Sequence, residues 1–195
     1  MATAAIASDR PRVLADLIPG ALARDAILVL AGAGVMGVSA QVAIHTPLSP
    51  VPFTLQTFAV LVVGAALGTG RGAWAALTYV SVGIAGVPWF AAHGSGWGGP
   101  SFGYVIGLAL AAPLAGLLAE HRADRHVVGT VVLMALGTAV VYLCGTLWLA
   151  HALSLGAEKS FELGVRPFLV ADVLKCAAAA GALPATWKIV DRFTS

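Results

Sequence analysis

Charged residues are scarce in this 195-residue sequence. Asp, Glu, Lys and Arg make up 10% of the chain, whereas roughly 25% is usual for a soluble globular domain. Hydrophobic residues make up 59%, and the mean hydropathy is +0.91. A soluble domain of this length cannot hide so much apolar surface from water. The composition therefore excludes a water-soluble domain and predicts an integral membrane protein.

Cysteine is also rare, and its positions exclude two classes of site. The two cysteines, Cys144 and Cys176, both lie within apolar segments, so we expect buried thiols and neither a disulfide framework nor a metal site. Histidines are scattered, with His121 and His126 in one charged turn where a solvated role is expected. The sequence therefore predicts no metal and no cofactor.

Nucleotide- and nucleic-acid-binding patterns are missing as well. The chain has no G-x-x-x-x-G-K-[S/T] motif, so it cannot hydrolyse ATP by that route. Residues Gly32–Gly37 match G-x-G-x-x-G literally, but no strand precedes them, and we interpret them as a helix-packing face. The basic residues are not interleaved with aromatic residues, which argues against nucleic acid as a partner.

Six long apolar segments are present, and each is predicted to cross the lipid bilayer as an α-helix. They are residues 26–44, 55–68, 73–87, 102–119, 127–153 and 168–187. The second and third are short for a hydrocarbon core of ~30 Å, so we expect them to tilt or to continue into ordered loops. The predicted fold is one all-α, six-helix membrane domain over residues 1–195, with tails at residues 1–23 and 188–195.

Three long loops, at residues 44–54, 88–101 and 154–167, alternate with short turns. Lysine and arginine concentrate on the opposite side from these loops. That side holds Arg10, Arg12, Arg24, Arg71, Arg122, Arg125, Lys188 and Arg192, and the loop side holds Lys159 and Arg166. Because cytoplasmic segments carry the excess of basic residues, both tails are predicted in the cytoplasm. The long outer loops are expected to cap a ligand site.

Asp172 and Lys175 are the only charged residues between Phe168 and Trp187. Their three-residue spacing places them on one face of a helix. Charges within a membrane span are costly, face protein or water, and mark functional sites. A structural ion pair, or side chains reaching the interface, is the alternative interpretation. A carboxylate and an ammonium under the outer loops suit a small ligand with an acid group and N–H donors.

Five stretches together resemble the BioY family, the substrate-binding (S) components of energy-coupling-factor (ECF) biotin transporters. They are Pro50–Thr57 (PVPFTLQT), Gly64–Gly68 with Arg71–Ala73, Gly83–Pro88, Gly99–Tyr104 and Asp172–Lys175. The resemblance implies six membrane helices, high-affinity biotin binding under the outer loops, and no enzymatic activity. It also implies an ECF transmembrane coupling subunit and two cytoplasmic ATPase subunits as partners, in agreement with the missing ATPase motif.

The resemblance also implies four biotin-binding residues. Asp172 and Lys175 match the D-x-x-K pair of the last helix. In that match, Lys175 either pairs with the valerate carboxylate of biotin or bonds its ureido oxygen. Asp172 either accepts a ureido N–H of biotin or orients Lys175. Tyr104 and Gln56 match motif positions that either bond the ligand or hold a loop. Val105 departs from members with Arg at that position, which puts one charge contact in doubt.

Other interpretations stay open on the sequence alone. The family docks its coupling subunit through small residues of the first helix, and Ala33 and Gly37 have that spacing, although internal packing uses the same residues. The ligand is biotin, another vitamin or a biotin precursor. An intramembrane enzyme using Asp172 and Lys175 as acid and base is a different class, and a structural membrane subunit without a ligand is a third.

Overall fold

The computed structural model describes residues 13–18 and 22–194, so most of the predicted N-terminal tail lies outside the described residues. The described part contains seven α-helices and one β-hairpin. The helices are α1 (Leu22–Gln41), α2 (Gln56–Leu67), α3 (Thr69–Ile84), α4 (Phe102–Glu120), α5 (Val127–Leu153), α6 (Ala157–Gly164) and α7 (Leu169–Thr194), and the strands are β1 (Ala43–Thr46) and β2 (Ser49–Thr54).

Each of the six predicted spans corresponds to a helix, but the segments between them are more regular than predicted. The extended loop after α1 is an antiparallel hairpin, with Ala43 opposite Thr54 and Ile44 opposite Phe53. The predicted third loop contains the short helix α6 and a 3-10 turn at Arg166–Phe168. The C-terminal residues continue α7 as far as Thr194. Regular structure in these three segments gives their backbone N–H and C=O groups hydrogen-bond partners, which backbone groups near a bilayer need.

The short turn expected between the second and third predicted spans, at residues 69–72, is in fact the first turn of α3. Only Gly68 separates α2 from α3, and its φ of +84° is a conformation that favours glycine. A Cβ at Gly116 would lie 2.3 Å from the Gly68 carbonyl carbon, so α4 passes directly over this junction. Glu120 Oε1 accepts the Thr69 N–H at 2.8 Å and satisfies the start of α3.

Small residues let the helices pack closely around α4, which lies between α2, α3 and α5. A Cβ at Gly64 would lie 2.2 Å from the Ala112 carbonyl oxygen, and one at Gly107 would lie 2.7 Å from the Val141 Cα. In lipid the hydrophobic effect does not drive helices together, and close packing through small residues does so instead. Glycine at these positions is therefore a packing requirement.

Within residues 13–18 and 22–194, four helical segments are long and apolar enough to cross a membrane. They are α1, α4, α5 and the stretch Ala157–Phe193, which contains all of α7 except its last residue. The helix α2 is apolar but has only 12 residues. It spans ~18 Å at ~1.5 Å per residue, less than a hydrocarbon core.

Two polar clusters tie together the end of the bundle opposite the hairpin. Arg71 contacts Asp16 at 2.5 Å and Asp25 at 3.8 Å, so α3 is joined to the segment that precedes α1 and to α1 itself. In the turn between α4 and α5, the buried Asp124 accepts a hydrogen bond of 2.5 Å from Trp187 Nε1 of α7. Burial raises the pKa of Asp124, and the Trp187 hydrogen bond and the Arg125 charge partly offset the rise.

We predict that Gly64→Ala lowers the thermal midpoint of the detergent-solubilised protein, because its methyl group collides with the backbone of α4. Overpacking of this kind costs roughly 1–3 kcal/mol. Gly34→Ala is the matched control, because no atom lies within 4 Å of a Cβ there and Ala is favoured over Gly in a helix by up to ~1 kcal/mol. Equal midpoints for the two variants would contradict the packing described for α2 and α4.

Candidate ligand-binding site

The hairpin, residues 86–101 and α6 lie together at one end of the bundle, which we call the loop end. Strand β2 contacts both α6 and the 3-10 turn at Ala91–His93. Trp148 of α5 donates its indole N–H to the Gly99 carbonyl oxygen at 2.9 Å. The loop end is therefore connected by contacts and hydrogen bonds to the helices beneath it.

Gln41, the last residue of α1, holds residues 89–93 in place. Its Nε2 donates to the carbonyl oxygens of Trp89 and Phe90 at 3.0 and 3.2 Å, and its Oε1 accepts the His93 N–H at 3.1 Å. Ala92 and His93 have φ values of +55° and +61°, a region that costs non-glycine residues about 1–3 kcal/mol. The Gln41 hydrogen bonds hold this strained segment against α1.

A cavity of about 210 Å³ lies beneath the loop end, between β2, residues 90–101 and helices α4, α5 and α7. All four sequence-predicted residues line it, together with a ring of apolar, aromatic and small residues. The lining residues are Val51, Pro52, Thr54, Gln56, Thr57, Phe90, Ala91, Gly94, Ser95, Gly96, Gly99, Ser101, Phe102, Tyr104, Val105, Leu108, Val141, Tyr142, Phe168, Asp172 and Lys175.

Asp172 and Lys175 form an ion pair on the cavity wall. Lys175 Nζ donates to Asp172 Oδ1 at 2.7 Å, and the two side chains are 15% and 13% exposed. The hydroxyl of Tyr142 donates to the other carboxylate oxygen, Oδ2. Each oxygen of Asp172 thus has a donor from the protein, and an ionised carboxylate has further lone pairs for a ligand N–H. Lys175 likewise has N–H donors to spare.

Tyr104 faces the cavity with its ring and holds α6 with its hydroxyl. The hydroxyl donates to the Gly164 carbonyl oxygen at 2.8 Å. A Cβ at Gly145 would lie 2.4 Å from the ring, so glycine makes room for it in α5. Of the two roles considered for Tyr104, the geometry shows the loop-holding hydrogen bond directly.

Gln56, the first residue of α2, is buried at the cavity. Its Nε2 has no hydrogen-bond partner among the described residues, and the Tyr79 hydroxyl, which lies close to this amide, is likewise without one at normal geometry. Buried amide groups in proteins are almost always hydrogen-bonded. The Nε2 atom itself has almost no exposed surface and lies near Tyr79, so Gln56 lines the cavity without presenting this donor to it.

Aromatic rings supply much of the cavity's apolar wall. Phe90, Phe102 and Phe168 line the cavity. The ring centroids of Phe90 and Phe102 lie 6.5 Å apart, and Phe168 packs at 4.5 Å against Phe53, which lies outside the lining. Phe102 in turn packs edge-on against Trp148. Such walls suit a compact apolar ring system, while the polar groups described above fix its orientation.

Sequence reasoning missed two residues that hold the site together through hydrogen bonds. Tyr142 is a single hydroxyl-bearing aromatic residue in an apolar span, and Gln41 is a single amide at a helix end. Each is a polar side chain in or beside an apolar segment, where it needs a hydrogen-bond partner. That need is the only sign in the sequence that the two residues have a structural role. Their partners lie 30 and about 50 positions away in the chain, so spacing alone does not reveal them.

Comparison with known proteins places this arrangement in a family. The family model described as "BioY family" matches residues 8–192. A protein of Pyrococcus horikoshii named "Probable biotin transporter BioY" is 36% identical over 160 residues, which cover 80% of this chain and 92% of the relative. The chain belongs to the BioY family. A Thermotoga maritima protein named "Biotin transporter BioY" is 36% identical, covering 70% of this chain and 81% of the relative.

A solved structure shares the fold of this BioY-family chain. It is the crystal structure of "the S-component for biotin from an ECF-type ABC transporter", which matches with a TM-score of 0.76 and 18% identity. The match covers 85% of this chain and 92% of the other. With four membrane-crossing segments and transporter relatives, this BioY-family chain is a multi-pass membrane protein.

The small residues predicted as a docking face on α1 point into the protein. Ala33 and Gly37 are buried, and a Cβ at Gly37 would lie 2.8 Å from the Trp89 ring. The neighbouring Gly32 packs against α2 and α3. In this BioY-family chain these residues serve internal packing, because α1 must approach α3 and the loop segment closely. They are not available to a partner helix in this structure.

We predict that Gln41→Leu speeds hydrogen exchange of the backbone amides in residues 86–101 by at least about tenfold, because the strained segment loses its hydrogen bonds to α1. Val42→Ala, which alters an exposed neighbour, should leave exchange unchanged. Mass spectrometry of peptides from the detergent-solubilised protein measures both. Equal protection in the two variants would show that Gln41 does not hold this segment.

Proposed function

We propose that this chain is the biotin-binding S component of an ECF-type vitamin transporter. The observation that carries the proposal is the cavity beneath the loop end, where the Asp172–Lys175 pair and the Gln56 amide meet aromatic walls. The BioY-family relatives are named biotin transporters, and the solved structure with the same fold is an S-component for biotin. The chain is accordingly a transport subunit and not an enzyme.

The cavity's chemistry suits biotin. Biotin combines a fused bicyclic ring, which is largely apolar, with a ureido group that has two N–H donors and one carbonyl acceptor. Asp172 supplies acceptor lone pairs, Lys175 supplies donors, and the amide of Gln56 carries both kinds of group. Phe53, Phe90 and Phe168 belong to the apolar surroundings of the cavity. We therefore assign Asp172, Lys175 and Gln56 to ligand binding and Tyr104 to both the cavity wall and the α6 contact.

In the proposed transporter, six helices of this chain cross the bilayer with both termini in the cytoplasm. The basic residues at the end opposite the hairpin support that orientation. The partners are an ECF transmembrane coupling subunit and two cytoplasmic ATPase subunits, since this chain has no phosphate-binding loop of its own. The loop end then faces outward and captures the vitamin, which is delivered inward when the partners hydrolyse ATP.

The test is titration of the detergent-purified chain with biotin by calorimetry, with desthiobiotin and thiamin in parallel. Near-stoichiometric binding of biotin by the isolated subunit is the expected result. Tight binding of thiamin in place of biotin would assign the site to another vitamin. A folded protein that binds none of the three would remove the S-component assignment.

Lys175→Met should weaken biotin binding at least tenfold, or about 1.4 kcal/mol, because the variant loses a cationic donor on the cavity wall. The double variant Asp172→Asn, Lys175→Met should weaken binding similarly without leaving a buried carboxylate unpaired. Lys159→Met is the matched control, since Lys159 lies on the exposed face of α6 in an ion pair with Glu162. Unchanged affinity in the folded Lys175 variants would remove Lys175 from the site.

A further inference from the structure

Charge is balanced on the cavity wall. Among the residues that the structure describes, Asp172 and Lys175 are the only charged side chains that line the cavity. They are paired at 2.7 Å and largely buried. The pair contributes no net charge, and every other polar lining group, from Thr54 to Tyr142, is neutral. Among the described residues, the cavity wall therefore has no unpaired cation to bind an anionic group of a ligand.

An anionic group brought next to this pair is unfavourable. An anion bonded to Lys175 also lies near the Asp172 carboxylate, because the two charged groups are in contact, and the local charge becomes −1 in a partly dehydrated space. Buried charges without their own counter-ion are costly. A neutral group with adjacent donors and acceptors meets no such penalty, since Asp172 accepts while Lys175 donates.

The most exposed lining residues lie at one side of the cavity. Of its lining residues, Ser95 and Gly99 are the exposed ones, and both belong to the glycine-rich segment of residues 94–101. Asp172, Lys175 and the buried Gln56 lie on the helices beneath. A ligand with a neutral ring at the ion pair and a charged tail therefore keeps the tail hydrated when the tail points towards Ser95.

We propose that the site recognises the neutral ring of its ligand and leaves the carboxyl end in water beside Ser95, so that it accepts uncharged amides and esters of the acid as well as the acid itself. This inference rests on the proposed biotin-binding function. It defines the ligand class as ureido-ring compounds with a variable tail. Lys175 then bonds the ureido oxygen, and Asp172 accepts a ureido N–H.

Parallel calorimetric titrations with biotin, biotinamide and biotin methyl ester test the proposal on the detergent-purified chain. We expect the dissociation constants of the two neutral compounds to lie within tenfold of that of biotin. Tight biotin binding with neutral compounds more than tenfold weaker would overturn this inference and leave the proposed function standing. No binding of any of the three by folded protein would overturn both.

Ser95→Lys tests where the carboxyl end lies. It places a cation at the water-exposed edge of the cavity, so it should increase the preference for biotin over biotinamide at least tenfold. Ser95→Gln, which adds length without charge, is the control and should leave that preference unchanged. The same preference in the lysine variant and the wild-type protein, or an equal gain in the glutamine variant, would contradict the position assigned to the carboxyl end.

Discussion

A largely buried ion pair determines the chemistry of the cavity at this protein's loop end. Asp172 and Lys175 lie near the start of a helix that is otherwise apolar as far as Lys188, where an isolated charge is strongly unfavourable. Each charge is tolerated because the other lies in contact with it and because Tyr142 donates to the carboxylate. This requirement holds α5 and α7 in a fixed relation and creates a polar wall in an apolar bundle.

The loop end surrounds that wall with backbone whose hydrogen bonds are satisfied locally. The hairpin pairs its own strands, Gln41 bonds residues 89–93, and the Tyr104 hydroxyl bonds the end of α6. These contacts start from helices α1 and α4, so the cavity is shaped by the rigid bundle and not by free loops. A preformed cavity loses less conformational entropy when a ligand binds, which favours high affinity.

The opposite end of the bundle uses charge differently. There, Arg71 joins the start of α3 to Asp16 and Asp25, and the indole of Trp187 joins α7 to the buried Asp124. The contacts hold the helix ends together at the edge of the bundle, where the Arg71 side chain is partly exposed and Asp124 is fully buried. Between the two ends, glycine and alanine on α4 bring the helices close enough to leave little free space.

Composition and the positions of apolar segments alone determined the membrane class, the approximate positions of six apolar helices and the candidate pair Asp172–Lys175, because hydrophobic length and charge scarcity are local properties. The partners of single polar residues were decided only by the tertiary structure. Tyr142 meets Asp172, Gln41 meets the Trp89 carbonyl, and Gly37 faces Trp89 instead of a partner protein. Such pairings depend on helix rotation and crossing distance, which are set by the sum of many packing contacts and are not encoded in any single stretch of sequence.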